Sequence, residues 1–223
     1  MNLAYSVLNS SIKNITRIIC NVDDRQLVQV PDRGPLIIAS NHINFMEVPL
    51  LYTHLQPRSV TGFAKAETWD NPAMGFLFNL WGAIPIRRGE ADYHAMKSAL
   101  SALNEGKILA IAPEGTRSGH GRLGKGYPGI VMLAYISNVP ILPLVYYGGE
   151  RIRDNISRLR RTDFKIRVGK PFRIKINKQK LDKEIRNSIL DEIMYQIAGL
   201  LPESYRGYYS DLSNQKTKYI DFV

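Results

Sequence analysis

The chain has 223 residues, of which 44% are hydrophobic and 22% charged, and its formal net charge at pH 7 is +10. This length fits one large α/β domain with a substantial core. The single cysteine, Cys20, excludes an internal disulfide framework and a cysteine-based metal cluster, and is typical of a reducing compartment or of indifference to redox state. No stretch reaches the roughly 18 uninterrupted apolar residues that a membrane-spanning helix needs, and the first residues lack the pattern of a secretory peptide.

Positive charge is concentrated in residues 150–183, which hold thirteen lysines and arginines against four acids. Such a region could face an anionic membrane, a phosphorylated cofactor, an acidic carrier protein or nucleic acid. Its only aromatic residues are Phe164 and Phe172, so stacking platforms for single-stranded nucleic acid are poorly supported. For many of these side chains the alternative is a solvated basic surface.

Residues 3–19 are predicted to form an amphipathic helix, since apolar side chains recur at helical spacing. Such a helix either covers the core of its own domain or lies in a membrane interface, and its flanking cations suit the interface. We therefore divide the chain into a membrane-interface helix, residues 1–20, and a main domain, residues 21–223, which starts with a polar linker at 21–34. The predicted apolar face comprises Leu3, Val7, Leu8, Ile12, Ile15, Ile18 and Ile19, and the polar face Asn2, Ser6, Asn9, Lys13, Asn14 and Arg17.

The stretch from Asn41 to Pro49 carries the first candidate site. The apolar residues 35–40 before it predict a buried strand, which places His42 in the turn at the strand's carboxyl end, where open α/β sheets hold their ligands. Glu47 then falls at the start of the next helix, and the turn can bring its carboxylate to the imidazole. Such a pair would be a neutral base held in one tautomer by an acid. The alternative is structural, because Asn44 as N-cap with Glu47 three positions later forms a capping box.

Basic residues follow two further predicted strands. Lys65 ends the strand at 59–64 and could supply a point charge for a phosphate, although a lysine in this place is ordinarily just solvated. Arg87 and Arg88 close an extended piece at 81–89. Paired arginines beyond a strand suit bidentate phosphate contacts, and surface charge is the alternative interpretation.

A second buried strand, residues 107–112, runs directly into the sequence Pro113-Glu114-Gly115-Thr116-Arg117-Ser118. The proline and the glycine satisfy a type I turn, so the local structure needs no functional explanation. The turn does not require the charged residues, however. Arg117 offers a planar fork for phosphate oxygens, and Glu114 could orient Arg117 or a hydroxyl of the substrate.

The whole pattern indicates an α/β fold with a single-domain mixed β-sheet flanked by helices. Residues 119–129, rich in glycine, are expected to form a mobile loop. A strand at 164–169 is expected near the sheet edge, and the tail from Pro202 has no assigned role. Helices are predicted at 48–55, 71–80, 92–104, 128–138 and 181–201, and a third apolar strand at 139–147.

Four motifs, in a fixed order and each at the end or core of a predicted strand, resemble the 1-acylglycerol-3-phosphate (lysophosphatidic acid) acyltransferase family. The resemblance implies a glycerol-3-phosphate acyltransferase-like fold. It also implies a transferase that moves an acyl chain from an acyl thioester to the free hydroxyl of a lysophospholipid, most directly 1-acylglycerol-3-phosphate, giving phosphatidic acid. The motifs are Asn41-His42 with an acid five residues after the histidine, Gly82-Ala83-Ile84-Pro85-Ile86-Arg87-Arg88, Pro113-Glu114-Gly115-Thr116-Arg117-Ser118, and Val139-Pro140-Ile141-Leu142-Pro143.

The same resemblance implies roles for single residues, and makes residues 21–223 an acyltransferase domain. His42 is the base that activates the acceptor hydroxyl, and Glu47 is its orienting partner. The family has aspartate at this position, and the longer glutamate moves the carboxylate on the order of 1 Å, a misplacement that can cost about 100-fold in rate. The residues assigned to the acceptor phosphate are Lys65, Arg87, Arg88, Glu114, Gly115, Thr116 and Arg117.

The expected acyl donor is acyl-CoA or an acyl carrier protein, and no metal or cofactor is expected. Backbone amides near the His42 turn are candidates for stabilising the oxyanion. Two alternatives stay open: an acyltransferase for another hydroxyl acceptor, such as a sugar lipid or an ornithine-type lipid, and a catalytically impaired lipid-binding homologue. The expected location is cytoplasmic and peripheral on an anionic membrane, since the substrates are lipids and residues 3–19 are amphipathic. Nucleic acid is not an expected partner, and no oligomeric state is assigned.

Overall fold

The computed structural model describes residues 3–89, 92–175 and 181–223. Short 3₁₀ helices lie at Arg25–Gln29 and Ala66–Asp70, and three more lie beyond residue 202. The helices are α1 (Leu3–Ile19), α2 (Glu47–His54), α3 (Pro72–Leu80), α4 (Tyr93–Asn104), α5 (Gly129–Ser137), α6 (Ile152–Ser157) and α7 (Lys183–Leu200). The strands are β1 (Cys20–Asp23), β2 (Leu36–Ser40), β3 (Val60–Lys65), β4 (Ile84–Ile86), β5 (Ile108–Ile111), β6 (Ile141–Tyr147), β7 (Thr162–Val168), β8 (Phe172–Ile174) and β9 (Ile220–Phe222).

One mixed sheet, of nine strands in the described part of the chain, organises the fold. Its main order is β1-β7-β6-β2-β5-β3-β4, with β8 beside β6 and β9 beside β8. Strands β6, β2, β5, β3 and β4 run parallel, β7 runs antiparallel to β6, and β1 runs parallel to β7. Consequently β1 and β7 begin at the edge where the parallel strands end. We call this the site edge: it holds the carboxyl ends of β2, β3, β5 and β6 and the amino ends of β1 and β7.

The two faces of the sheet are covered by different helices. Consecutive strand residues point to opposite faces, so Ile37 belongs to the core cluster under α4, α5 and α7, and Ile38 to the cluster under α1 and α2. Both side chains are fully buried, as expected for a strand covered on both faces. This burial explains why the apolar runs predict the central strands to within one or two residues.

The buried and exposed faces of α1 differ from the apolar and polar faces that the sequence predicts. Ile12 and Ile19 face the core as expected, but Asn9 is also buried there, and its side-chain oxygen accepts a hydrogen bond of 2.9 Å from the Trp81 indole N–H. A buried indole N–H needs an acceptor, and this need turns Asn9 inward. The outward face then carries three aliphatic side chains, Val7, Ile15 and Ile18, each more than half exposed.

The predicted linker at 21–34 needs correction. Cys20 to Asp23 form β1, which pairs with the start of β7, so the sheet begins where the linker was expected. β7 is the second strand from the border of the sheet, near the sheet edge as expected. β1 is four residues long, too short to show a pattern of its own. Its pairing with β7 defines it.

The tail beyond Pro202 fastens the glycine-rich loop at 119–129. Leu123 donates its N–H to the Tyr205 carbonyl at 2.8 Å and accepts from the Tyr208 N–H at 2.9 Å. The Gly126 N–H reaches the Tyr209 hydroxyl at 3.3 Å. The loop expected to be mobile is therefore held at two points by a segment for which the sequence indicated no role.

None of the helices within the described ranges combines the length and apolar character needed to cross a bilayer. Residues 176–180, which include two lysines of the basic region, and Asn2 of the predicted polar face lie outside the described residues.

The contact between α1 and α2 buries His54, the last residue of α2. Its side chain is inaccessible to solvent, and its Nε2 lies 4.0 Å from the Asp24 carboxylate. Burial first, and the charge of Lys13 second, lower the pKa of His54 to about 4, and Asp24 only partly offsets this. The histidine is therefore neutral in the folded protein at neutral pH.

Acidification is expected to weaken the fold through His54. Its contribution to stability is complete above the unfolded value of 6.5 and is lost as pH falls towards 4, because the unfolded chain binds the proton first. At ~1.36 kcal/mol per pKa unit the loss is on the order of 3 kcal/mol. Urea unfolding at pH 7 and pH 4.5 should show a smaller loss in His54→Gln than in the wild type. His94→Gln, at an exposed histidine, should follow the wild type, and an unchanged pH dependence in His54→Gln would contradict the assignment.

Candidate active site

His42 and Glu47 meet at the site edge as the spacing predicts. His42 Nδ1 lies 2.7 Å from Glu47 Oε2, and the two side chains are only 13% and 6% exposed. A carboxylate next to Nδ1 makes that nitrogen the donor, which leaves Nε2 unprotonated in the neutral ring. No residue in the described part of the chain hydrogen-bonds to Nε2. The pair therefore presents an oriented imidazole whose free nitrogen can accept a proton.

The same carboxylate also caps the turn before α2. Glu47 Oε1 accepts from the Asn44 N–H at 3.0 Å and from the Ile43 N–H at 3.2 Å, and the Asn44 side chain accepts from the Met46 N–H at 2.8 Å. Helix α2 begins at Glu47 rather than after Asn44, which differs from the predicted capping-box register. The later start places Pro49 in the first turn, where a missing N–H costs no helical hydrogen bond. Capping and orientation of His42 thus coexist in one side chain.

Glu114 lies beneath the site rather than in it. One carboxylate oxygen accepts from the His42 backbone N–H at 2.8 Å, and the other accepts from the Gly124 N–H at 2.6 Å. The side chain is buried, and burial raises its pKa while the two N–H groups oppose the rise. A Cβ at residue 124 would stand 3.1 Å from the same oxygen, which favours glycine there. Both oxygens of Glu114 thus hold backbone N–H groups in place, and the carboxylate forms no ion pair with Arg117 within the described ranges.

The backbone amides at the start of the His42 turn, those of residues 42 to 44, are occupied. The N–H of His42 is bonded to Glu114, and those of Ile43 and Asn44 are bonded to Glu47. An oxyanion site of backbone amides near the turn, as the sequence suggested, would therefore have to use other amides than these three. The carboxylates of Glu47 and Glu114 fix the turn instead.

Two asparagines tie the turn to strand β6, and the sequence assigned neither of them this task. Asn41 forms a pair of hydrogen bonds with the backbone of Tyr146, at 2.8 and 2.9 Å. Asn44 donates to the Gly149 carbonyl at 2.7 Å. An amide side chain following a buried strand is the signal that could have indicated Asn41, since a buried amide needs both a donor and an acceptor.

An apolar cavity of about 540 Å³ opens beside His42. Gly62 and Ala110 face each other in the register of β3 and β5, and these small residues leave space that larger ones would fill. Lining side chains come from both layers of the fold. They include Leu51, Tyr52 and Phe78 on one side and Met96, Ile130 and Leu133 on the other.

Arg88 and Arg117 provide positive charge near this cavity. Arg88 lines it, and burial followed by the charge of Arg117 lowers the pKa of Arg88, which Glu67 partly offsets, so the charges of the two arginines act on each other. Neither arginine forms an ion pair with a carboxylate within the described ranges. Two neighbouring cations without a carboxylate partner are suited to hold an anion such as a phosphate.

The other predicted phosphate ligands have different positions. Arg87 lines a separate depression beside Tyr93, away from His42, and Lys65 forms an ion pair of 3.0 Å with Glu67. Strand alternation could not have distinguished the arginines, because Arg88 lies in the turn after β4 and Ile84, of the same parity, lines the other depression. Gly115 also lines the cavity, with a positive φ of 65°.

Thr116 and Arg117 occupy an exposed loop that runs beside the His42 turn. The loop is held there by hydrogen bonds from Ser118 N–H to the His42 carbonyl at 2.8 Å and from Gly119 N–H to the Ile43 carbonyl at 2.9 Å. Across residues 3–89, 92–175 and 181–223, no group of three or more histidine, cysteine, aspartate or glutamate side chains is arranged to hold a metal ion.

Comparisons with known proteins agree with this geometry. The fold resembles the crystal structure of the 1-acyl-sn-glycerophosphate (LPA) acyltransferase PlsC from Thermotoga maritima, with a TM-score of 0.60 and 20% sequence identity over 88% of this chain and 80% of that one. A 1-acyl-sn-glycerol-3-phosphate acyltransferase from Limnanthes alba is 36% identical over 115 residues, which are 50% of this chain and 41% of the relative. A lyso-ornithine lipid O-acyltransferase from Pseudomonas aeruginosa is 34% identical over 99 residues, 41% of this chain and 37% of the relative.

These alignments span less than half the length of the two curated relatives. The model of the family described as Acyltransferase, however, matches residues 21–147, more than half of this chain and the part that holds His42, Glu47 and Arg117. The chain belongs to the acyltransferase family.

Proposed function

We propose that the protein is an O-acyltransferase of phospholipid biosynthesis. It transfers a fatty acyl chain from acyl-CoA or an acyl carrier protein to the free hydroxyl of a lysophospholipid, most directly 1-acylglycerol-3-phosphate, giving phosphatidic acid. The observation that carries the proposal is the contact of 2.7 Å between His42 and Glu47 beside an apolar cavity. Base, chain-binding space and anion-binding arginines then lie together at one edge of the sheet.

The geometry supports a direct transfer with His42 as base. The acceptor hydroxyl gives its proton to His42 Nε2 while its oxygen bonds to the carbonyl carbon of the thioester. The tetrahedral oxyanion then collapses, the C–S bond breaks, and the leaving thiolate takes the proton back from the imidazolium. Glu47 stabilises the charged imidazolium between these steps and keeps Nε2 directed at the acceptor.

Glu47 supports an active enzyme rather than an impaired homologue. Its extra methylene, relative to the aspartate of the family pattern, still leaves Oε2 at 2.7 Å from His42 Nδ1. The amides of Ile43 and Asn44 hold the other oxygen, so the carboxylate has little freedom to leave the ring. The backbone of the turn has accommodated the longer side chain.

We assign each part of the substrates to the side chains whose chemistry suits it. Arg88 and Arg117 suit the acceptor phosphate, because guanidinium groups offer paired donors to its oxygens. The apolar walls of the cavity suit an acyl chain, which gains about 0.8 kcal/mol per buried methylene. His42 lines the same cavity as Arg88, so the acceptor hydroxyl and the thioester carbon must meet at its imidazole for transfer to occur.

A lyso-ornithine lipid is the second candidate acceptor. The observation that favours it is the 34% identity with the Pseudomonas aeruginosa enzyme named for that lipid. This acceptor carries a hydroxyl and a carboxylate but no phosphate, so the arginines would hold a carboxylate. We further propose that the protein acts at an anionic membrane, which the outward aliphatic face of α1 and the basic residues beyond β6 support.

The proposal is tested by acyl transfer with purified protein. Labelled acyl-CoA and acyl carrier protein are each offered with 1-acylglycerol-3-phosphate, a lyso-ornithine lipid and an uncharged lysolipid. We expect turnover with the phosphate acceptor at the highest kcat/KM. Tight lysolipid binding without turnover for any pair of substrates would instead identify an impaired, lipid-binding homologue.

The His42–Glu47 pair should control kcat. His42→Ala is expected to abolish transfer, and undiminished activity would refute the mechanism. Glu47→Asp withdraws the carboxylate by about 1 Å from a turn built around the longer side chain, so we expect about 100-fold lower kcat. The matched control, Glu67→Asp, shortens an exposed acid and should keep wild-type rates. A faster Glu47→Asp enzyme would show that the turn readily adapts to aspartate.

Arg117 should act on acceptor binding. Arg117→Ala removes one of two charges at the phosphate position, and we expect KM for 1-acylglycerol-3-phosphate to rise about tenfold or more, since a charge-assisted hydrogen bond contributes about 1.5–3 kcal/mol. KM for the uncharged lysolipid should stay unchanged. Arg87→Ala is the control, because Arg87 lies outside the cavity. Equal effects on both acceptors would contradict the phosphate assignment.

Glu114 should behave as a positioning residue. In Glu114→Gln one side-chain donor would face a backbone N–H, so we expect the free energy of unfolding to fall by about 1–3 kcal/mol. Displacement of the His42 backbone should lower kcat while leaving the KM for the phosphate acceptor unchanged. Denaturant unfolding and steady-state kinetics measure both effects, with Glu203→Gln at an exposed acid as control. A rise in KM without a fall in kcat would instead indicate that Glu114 contacts the acceptor.

A further inference from the structure

A short basic segment projects at the site edge between β6 and β7. We call residues 151–161 the arginine tip: it contains α6 and the turn that leads into β7. It carries five arginines, at 151, 153, 158, 160 and 161, and one acid, Asp154. In the described part of the protein none of the five forms an ion pair with a carboxylate. The tip therefore presents uncompensated positive charge.

Leu159, in the middle of this charge, is 97% exposed and has a left-handed backbone with φ of 52°. Both features are unfavourable for leucine, because a branched apolar side chain is strained in this conformation and gains nothing in water. Hydrogen bonds nevertheless fix the turn: Leu159 N–H donates to the Ile156 carbonyl at 3.0 Å and Arg160 N–H to the Asn155 carbonyl at 2.8 Å. These two bonds form a Schellman cap at the end of α6, with Leu159 at its left-handed position, so the backbone of the turn is fixed locally. The cap accounts for the backbone but not for a leucine left in water between arginines 158 and 160, and that exposed apolar side chain suits a contact outside the protein.

The tip is joined to helix α1. The Arg161 guanidinium donates to the carbonyl oxygens of Arg17 and Cys20, both at 2.7 Å. Because β1 and β7 are parallel neighbours, with Cys20 opposite Thr162, the end of α1 lies beside the end of the tip. The outward face of α1, with Ile15 and Ile18 exposed, is therefore continuous with the tip at the same edge of the sheet that holds His42.

We propose that the arginine tip and the outward face of α1 form one docking surface for an anionic lipid bilayer, with Leu159 inserted among the acyl chains. Arginines 158 and 160, on either side of Leu159, would contact lipid phosphates. This pattern of an exposed aliphatic residue between cations complements an anionic bilayer, which offers apolar chains beneath negative charge. A nucleic acid would meet the charges but leave the leucine and isoleucines in water.

Docking in this way would turn the cavity mouth towards the lipid. This consequence rests on the proposed function, since it supplies the surface from which a lipid acceptor enters. The docking itself involves neither His42 nor Arg117, so it can be measured without turnover.

The experiment is sedimentation with vesicles of phosphatidylglycerol and phosphatidylethanolamine, compared with vesicles of phosphatidylcholine alone. Leu159→Asn is the informative variant, because asparagine tolerates a left-handed backbone and removes only the apolar group. We expect it to bind the anionic vesicles about tenfold more weakly. The matched control is Val28→Asn: Val28 is 80% exposed and follows the carboxyl end of β1, at the opposite edge of the sheet. It should bind like the wild type.

Charge is tested by a second matched pair. Arg158→Gln with Arg160→Gln should weaken binding roughly 30-fold, at about 1 kcal/mol per cation near an anionic surface. Arg33→Gln with Lys107→Gln removes the same charge before β2 and β5, at the opposite edge, and should have little effect. Coinciding thermal melting curves ensure that all variants are folded.

Vesicle binding and acyl transfer are measured separately, so failure of the docking surface can be distinguished from failure of the proposed enzyme activity. Three results would overturn the docking surface: equal binding by Leu159→Asn and Val28→Asn, equal binding of the wild type to both kinds of vesicle, or no vesicle binding at all. In the third case a protein would be the remaining candidate partner for this face. Vesicle binding that depends on Leu159 in a protein with no acyl transfer would uphold docking and refute the enzyme. If both hold, Leu159→Asn should lose activity on vesicle-borne acceptor and keep it on acceptor dispersed in detergent.

Discussion

The site depends on one buried carboxylate, that of Glu114. It joins the backbone of His42, at the end of β2, to the backbone of Gly124, in the loop after β5. A buried carboxylate is stable only when its oxygens have donors, so neither partner can move away without leaving a buried charge unpaired. The histidine turn and the loop that carries Arg117 are thereby forced to keep a constant separation. The distance between His42 and the loop of Arg117 follows from a side chain whose oxygens accept from backbone amides.

The sequence predicts those elements whose own residues determine them. Strands β2, β5 and β6 are buried on both faces, and their unbroken apolar runs locate them. The short border strands are different: β1, β8 and β9 have three or four residues each, and their pairing depends on partners distant in the chain. A local pattern holds no information on such partners, which is why β1 was expected to be a linker.

The site residues show the same difference between features that local sequence determines and features that depend on distant partners. The spacing of His42 and Glu47 across a turn indicated their contact, because the geometry of strand end and helix start is local. Glu114 was assigned to substrate because its charge and its neighbour Arg117 suggested that chemistry. In the structure its oxygens accept from backbone N–H groups, which every residue except proline possesses and which no sequence pattern reveals. Asn9 shows the same effect: its polarity placed it on the outer face of α1, whereas the Trp81 indole draws it into the core.

The contacts between the tail and the loop at 119–129 have a consequence for the order of folding. The matched family region ends at residue 147, yet the partners of Leu123 and Gly126 are Tyr205, Tyr208 and Tyr209. Contacts between segments so far apart in the chain close slowly, because the entropy of the long intervening loop must be lost before they form. The central strands can pair on their own, whereas the loop that holds Glu114 through Gly124 acquires its outer support only after α7 has folded. We therefore expect this edge of the sheet to be completed late in folding, by residues of the tail that lie far from His42 in the chain.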